Sequence, residues 1–308
     1  MGTQYEIKIF TKSPSINKSI KSSVDSLLFD INQSMSTYIP NSEINNFNKT
    51  KSVEPVKVSK EFWDIVSLSI FISKITNGYF DITIMPLVDF WGFGPNSKNK
   101  SLSNSQFDTI KKKVGYNNIK VNPKNYKNNY TVTKLVPDIN LDFSAIAKGY
   151  AVNQVSKLLN KKGFNNHLVN IGGEIKASGK KGEISWVVGV TNPLITNENI
   201  LEIDLENMSI ATSGVYFNFI ESDTSIYSHI IDPFSGLPIM NNVISVTVIS
   251  KNCSFADGLA TGLMLSEVNE SIDIINNLND SEAMILELNE HNEIEKHFSK
   301  NFKQYISN

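Results

Sequence analysis

Asn170-Ile171-Gly172-Gly173-Glu174-Ile175 decides the fold class of this chain. It reads as a strand end, a tight turn and the start of the next strand, because paired glycines give the backbone freedom a two-residue hairpin needs. The spacing is not G-x-G-x-x-G and no helical pattern follows, so it does not open a dinucleotide-binding fold. Working outward, β-rich segments surround it at 167–171, 184–190, 201–205, 208–212, 226–231 and 243–249. On the N-terminal side residues 3–10 alternate as a strand. Residues 18–36 carry Ile20, Val24, Leu27, Leu28, Ile31 and Met35 at helical spacing. Lys60–Thr76 reads as a second helix on Phe62, Ile65, Val66, Leu68 and Ile72, and Val152–Leu159 as an amphipathic one. Helical patterns return at Ala256–Leu265 and Glu270–Leu278. Helices before and after a strand-rich middle favour an α+β architecture over alternating βα units. The pieces interleave too closely to cut, so residues 1–308 read as one domain. Ser42 to Phe47 reads as the opening of a polar loop, and Asn96–Ser105 as a surface insertion.

Composition narrows the chemistry. A formal charge of −2 gives no basic surface for nucleic acid or membrane. All 29 cationic residues are lysines, so a phosphate must be held by lysine, backbone N–H, a helix N-terminus or a metal, not by a guanidinium fork. The lone Cys253 excludes an intramolecular disulfide. No run of 18 apolar residues is long enough to span a membrane. No signal-peptide pattern opens the sequence, which leaves either a cytoplasmic location or a removed leader.

The chemistry-bearing residues are spread along the chain. His229 lies in Ser228-His229-Ile230-Ile231-Asp232-Pro233-Phe234-Ser235-Gly236-Leu237-Pro238, between a hydroxyl-rich strand and a Pro/Gly turn. Imidazole takes up a proton near neutral pH. Further on, Asp257-x-x-x-Thr261 puts two hard oxygens on one helix face, a pair suited to a metal. A base together with metal-holding oxygens points to phosphoryl-type transfer. The plainer alternative has Asp257 capping its helix and Thr261 bonding back to the preceding turn.

Leu141-Asp142-Phe143-Ser144-Ala145-Ile146-Ala147-Lys148-Gly149-Tyr150-Ala151 sets an acid and a lysine at the start of the helix through Leu159. Asp142 or Ser144 can cap that helix with Lys148 in solvent, and the same helix start attracts an anion. Gly78-Tyr79-Phe80-Asp81-Ile82-Thr83, with Trp91-Gly92-Phe93-Gly94, reads either as a buried aromatic turn around a satisfied Asp or as an aromatic wall for a planar ligand. Ala211-Thr212-Ser213-Gly214-Val215-Tyr216 says little alone.

Taken in order, the pieces say more. Met1-Gly2-Thr3-x-Tyr5 and Met35-Ser36-Thr37-Tyr38 with Ser42-Glu43-Ile44 and Asn48 come first. The Gly78–Leu87 and Trp91–Gly94 segments follow, then Asp142-x-x-x-Ile146-Ala147-Lys148-Gly149-Tyr150-Ala151-Val152 and Asn170-x-Gly172-Gly173-Glu174. Thr212-Ser213-Gly214, His229–Pro238 and Ala256-Asp257-x-x-Ala260-Thr261 complete the series. From Met1 to about Leu265 it resembles the ApbE family, the FAD:protein FMN transferases.

The resemblance implies an α+β fold of two interleaved lobes with FAD in the cleft between them. It implies a Mg²⁺-dependent enzyme that cleaves FAD, joins FMN by a phosphoester bond to a threonine of a target protein and releases AMP. The implied metal ligands are the backbone carbonyl of Ala145 and the side chains of Asp257 and Thr261. FAD contacts fall on Met1, Tyr38, Tyr79, Phe80, Asp81, Asp142, Lys148, Gly172, Gly173, Glu174, Ser213 and Gly214, and the catalytic role on His229. The implied acceptors are subunits of membrane redox complexes, of the Na⁺-translocating NADH:quinone reductase or Rnf type, carrying a Ser/Thr-Gly-Ala-Thr-like site. The implied location is periplasmic, at the cell envelope, with a membrane-anchored precursor. Two departures from the common family pattern, Asn153 for Asp and Ser235 for Thr, leave the core chemistry untouched. The same residues would serve an FAD pyrophosphatase in which water attacks. A non-catalytic flavin-binding protein is a third reading, against which His229, Asp257 and Thr261 together argue.

Overall fold

Val243–Ser250 is buried along its whole length, so the strand it forms is covered on both faces. The computed structural model that shows this describes residues 2–12, 18–95, 104–123, 129–195, 197–215, 219–221 and 226–307. Met1, Tyr216 and residues 96–103 of the expected insertion lie outside the described residues.

The chain begins with β1 (Tyr5–Ile9), α1 (Lys18–Met35), α2 (Glu43–Lys49), β2 (Val56–Lys57), α3 (Lys60–Ile75) and α4 (Met85–Phe90). Next come α5 (Asn104–Lys111), β3 (Ile119–Val121), β4 (Thr131–Lys134) and α6 (Ala147–Lys161). Five strands follow: β5 (His167–Ile171), β6 (Glu174–Ser178), β7 (Trp186–Thr191), β8 (Asn199–Leu205) and β9 (Ser209–Gly214). The chain then makes the hairpin β10 (Phe219–Glu221) and β11 (Ile226–Ser228), then β12 (Val243–Ser250), α7 (Cys253–Leu263), α8 (Val268–Asn276), β13 (Ser281–Leu288) and β14 (Ile294–Phe298).

These elements make two compact units. One comprises residues 1–30, 146–216 and 242–308, the other residues 31–145 and 217–241. In the first unit seven strands form one antiparallel sheet in the order β1-β5-β6-β9-β12-β13-β14. Trp186, Val188 and Val190 of β7, every second residue, are buried with Ile203 and Leu205 of β8 against Ile210, Ile244, Met284 and Leu286 of that sheet. Helices α6, α7 and α8 pack on β5, β6, β9, β12 and β13. Layers on both sides account for the burial of Val243–Ser250. At the open edge β14 carries Glu295, Lys296 and His297, charges that discourage pairing with another chain.

His167 of β5 is fully buried between α6 and the chain that follows it. Its Nδ1 lies 2.7 Å from the Phe164 carbonyl, which can only accept, so Nδ1 carries the proton and Nε2 accepts from the Ser156 hydroxyl at 2.8 Å. Burial holds its pKa below the ordinary value. The unfolded chain therefore binds a proton near pH 6.5 that the folded one resists, and stability present above that pH is lost as it falls. Urea unfolding at pH 7.5 and 5 should show a shallower acid loss in His167→Gln than in the wild type; an equal slope would remove His167 from the account.

In the second unit Phe62 of α3 packs between Phe47 (5.4 Å) and Phe143 (5.2 Å), over a three-stranded sheet ordered β2-β4-β3. Lys134 is buried beneath it, donating to the carbonyls of Asn48 (3.1 Å) and Thr50 (2.9 Å) at the end of α2.

Several boundaries differ from the sequence reading. Ser42 does not open a loop: its hydroxyl accepts from the Asn45 N–H and caps α2. That helix buries only Ile44 and Phe47, too few apolar residues to show a period. Helix α6 starts at Ala147 instead of Val152, without a side-chain cap. Asp142 accepts the Ser144 N–H (3.0 Å) and hydroxyl (2.7 Å), so neither residue caps α6. Asn252, not Asp257, caps α7. Strand β11 stops at Ser228 because a turn organised by Asp232 follows at once.

Candidate functional site

In the first unit Asp257 and Thr261 lie one turn apart on α7, as their spacing requires. Asp257 is 4% exposed, and its Oδ2 accepts the Gly149 N–H of α6 at 2.9 Å. Only glycine permits that approach, since a Cβ at position 149 would stand 2.4 Å from the Cys253 carbonyl oxygen. Thr261 Oγ1 lies 3.0 Å from Ser213 Oγ on β9 and 3.4 Å from the carbonyl of Asp257. It therefore makes the back-bond of the plainer reading and still faces Ser213.

Glu174 begins β6 directly after Gly172 and Gly173, whose φ values of 63° and 100° make the tight turn. Its carboxylate pairs with Lys148 in the first turn of α6. Lys148 is therefore not simply solvated. The second oxygen, Glu174 Oε2, is buried with no hydrogen-bond partner among the described residues. Lys148, Gly172, Gly173, Glu174, Ser213, Gly214, Asp257 and Thr261 are thus joined by direct contacts or by adjacency in the chain.

Two buried carboxylates share one ammonium here, and the charges show the imbalance. Burial, with the Asp257 charge adding to it, pushes Glu174 up to about 8 against the pull of Lys148. Burial also raises Asp257, opposed by Lys148 and the Gly149 N–H. Burial works against the charge on Lys148, but Asp257 and Glu174 outweigh it and raise its pKa. A buried excess of negative charge is costly unless a cation offsets it. The carboxylate of Asp257 and the hydroxyl of Thr261 are hard oxygen donors, so this part of the chain fits Mg²⁺. Ala145 lies in the turn of residues 144–146 that leads into α6.

In the second unit the His229–Pro238 segment is a tight hairpin. Asp232 accepts the N–H groups of Phe234 (2.9 Å) and Ser235 (3.0 Å), and Ile231 bridges Pro238. Trp91 Nε1 donates to the Gly236 carbonyl at 2.7 Å, and Tyr79 meets the Phe234 ring edge-on at 5.3 Å. The His229 ring stands 6.4 Å from that of Phe93, whose carbonyl accepts the Tyr38 hydroxyl at 3.2 Å. Tyr38 is 69% exposed and offers an open aromatic face.

Other candidates in this unit face inward. Phe80 is buried, and the Asp81 oxygens accept the Thr83 N–H and hydroxyl and the Tyr116 N–H, at 2.6–2.7 Å. Asp142 is spent on Ser144. The partners of two positioning groups escape the sequence reading. Asn48 holds Leu141 by both backbone groups, at 2.7 and 2.8 Å, across 93 residues. Asn153 bonds the start of α7. Both residues stand in or beside the quoted segments, but nothing local to either names its partners.

The ApbE family model matches residues 1–285. The chain belongs to the ApbE family.

Among ApbE relatives, the FAD:protein FMN transferase of Vibrio cholerae is 38% identical over 270 residues, 86% of this chain and 79% of the relative. That of Escherichia coli K12 is 35% identical over 269 residues, 86% and 76% of the two chains. The solved ApbE flavin transferase of Vibrio cholerae superposes with a TM-score of 0.88 at 33% identity, covering 99% of this chain and 96% of the other. The apo flavinyl transferase ApbE of Pseudomonas stutzeri gives 0.86 at 28% identity, covering 99% and 94%. The α+β architecture expected from the sequence is therefore the ApbE fold.

Proposed function

We propose that this protein is an FAD:protein FMN transferase that works with Mg²⁺ on a threonine hydroxyl. The observation that carries the reading is the buried Lys148, Glu174 and Asp257 group beside Thr261, in a chain whose relatives bear that name over most of their length. Asp257 and Thr261 would hold the cation, which when bound would supply charge neutralisation at the pyrophosphate. Lys148 adds the ammonium that a chain without arginine must use for the same purpose. Tyr38 offers its exposed ring to the flavin. His229 takes the proton of the incoming hydroxyl as the threonine oxygen bonds to the FMN phosphorus. The bond from that phosphorus to the AMP oxygen breaks, AMP leaves, and FMN stays as a phosphoester.

The acceptors proposed are flavin-carrying subunits of membrane redox complexes, of the NADH:quinone reductase or Rnf type, at the cell envelope. Incubation with FAD, Mg²⁺ and a peptide containing Ser/Thr-Gly-Ala-Thr, followed by mass spectrometry, tests the activity. One FMN on threonine per AMP released is expected. FMN and AMP without an adduct would make the protein a pyrophosphatase, and FAD left intact would make it a flavin-binding protein.

A further inference from the structure

Helix α7 carries Asp257 and Thr261, so whatever fixes α7 against α6 fixes them too. Among the described residues of α6, Gly149 and Asn153 hydrogen-bond to α7 and its cap, and they lie four apart and therefore on one face. Gly149 gives its N–H to Asp257 and brings the two backbones together at Cys253. Asn153 uses its whole amide: Nδ2 donates to Asn252 Oδ1 (2.6 Å) and Ser254 Oγ (2.9 Å), and Oδ1 accepts the Cys253 N–H (3.1 Å). The same Asn252 oxygen accepts the Ser254 and Phe255 N–H groups and caps α7.

We propose that Asn153 is a positioning residue: through Asn252, Cys253 and Ser254 it sets the depth and rotation of α7, so that Asp257 spends Oδ2 on Gly149 and turns Oδ1 to the cation. The inference rests on the Mg²⁺ reading of Asp257. Its logic is directional. Asn252 must keep its oxygen toward the helix N–H groups to act as a cap, so its neighbour has to be a donor. Asn153 is a donor there, and a carboxylate is not. Asn153 and Asn252 thus form a matched pair. Among the described residues, Gly149 is the one donor to the Asp257 side chain, so a shift of α7 is felt at that bond first.

The test uses the full chain with Mg²⁺ alone as probe. Calorimetry should give Asn153→Ala and Asn153→Asp a Mg²⁺ affinity roughly 10-fold or more below wild type, the scale of lost outer-shell support. Hydrogen exchange in the peptide covering Gly149 should quicken in both without metal. The double variant Asn153→Asp/Asn252→Ser should recover both readouts, because a serine cap accepts from the helix and gives its own proton to the introduced carboxylate. Wild-type affinity and exchange in a folded Asn153→Ala, or a double variant no better than Asn153→Asp, would overturn the proposal. If Asn153→Ala does not fold, the other two variants decide it. Asp257→Ala separates the two readings: no loss of Mg²⁺ binding there refutes the metal site, whereas a loss there with none at Asn153 refutes only the positioning.

Discussion

Asp257→Ala should lower AMP release by roughly 10³-fold, the upper end of the cost of losing one electrostatic stabiliser at a reacting centre. The fold should survive. The wild-type carboxylate is buried, burial disfavours its charge, and only the Gly149 N–H and Lys148 compensate. Removing it relieves that desolvation and leaves Lys148 paired with Glu174. Against this stands one unsatisfied Gly149 N–H, worth about 1–3 kcal/mol. In EDTA the variant should therefore melt within a few degrees of wild type. In Mg²⁺ only the wild type should gain, because a ligand stabilises the state that binds it. Full AMP release by the variant, or an equal Mg²⁺ gain in both, would dismiss Asp257 as a ligand.

Such a result would show a site whose charges are arranged for the bound state. Two buried carboxylates and one ammonium do not balance, and the excess is what a divalent cation needs. Stability at this point is given up for function, as is common where binding groups are buried.

The legible parts of this fold are those governed by short-range rules. Strand β5 and the Gly172-Gly173 turn fall where periodicity and glycine place them, because a two-residue hairpin leaves little choice. The apolar period shows only Val152–Leu159, so α6 begins five residues earlier than that pattern, through a first turn that holds Gly149. That glycine is there for contact with Cys253, far off in sequence and invisible to any local window. Helix α2 is missed for a different reason: seven residues with two buried apolar positions cannot be told from a loop. At the site, residue types point to chemistry but not to partners. The sequence leaves Lys148 either in solvent or at an anion site, and names no partner; the fold gives it Glu174 from a strand 26 residues away. Asn153 looks neutral as a replacement for Asp, and only the packing of α6 on α7 shows what its amide does.

His229→Ala separates a base from a turn residue. The hairpin after it is held by Asp232, the Ile231–Pro238 bridge and the Trp91 bond to Gly236, and these survive loss of the imidazole. Melting temperature and FAD affinity should change little. Turnover should fall by about 10²–10⁴-fold, since proton transfer matters only in the transition state. The pH profile adds a signature that packing cannot mimic. A base must be unprotonated to work, so the wild-type rate rises as the imidazole loses its proton, and the variant should lose that acid limb. Added imidazole should restore part of the rate in the variant and none in Asp257→Ala. If instead FAD affinity and melting temperature fall together while the pH profile is unchanged, His229 serves through its contact with Phe93, the residue whose carbonyl also holds Tyr38.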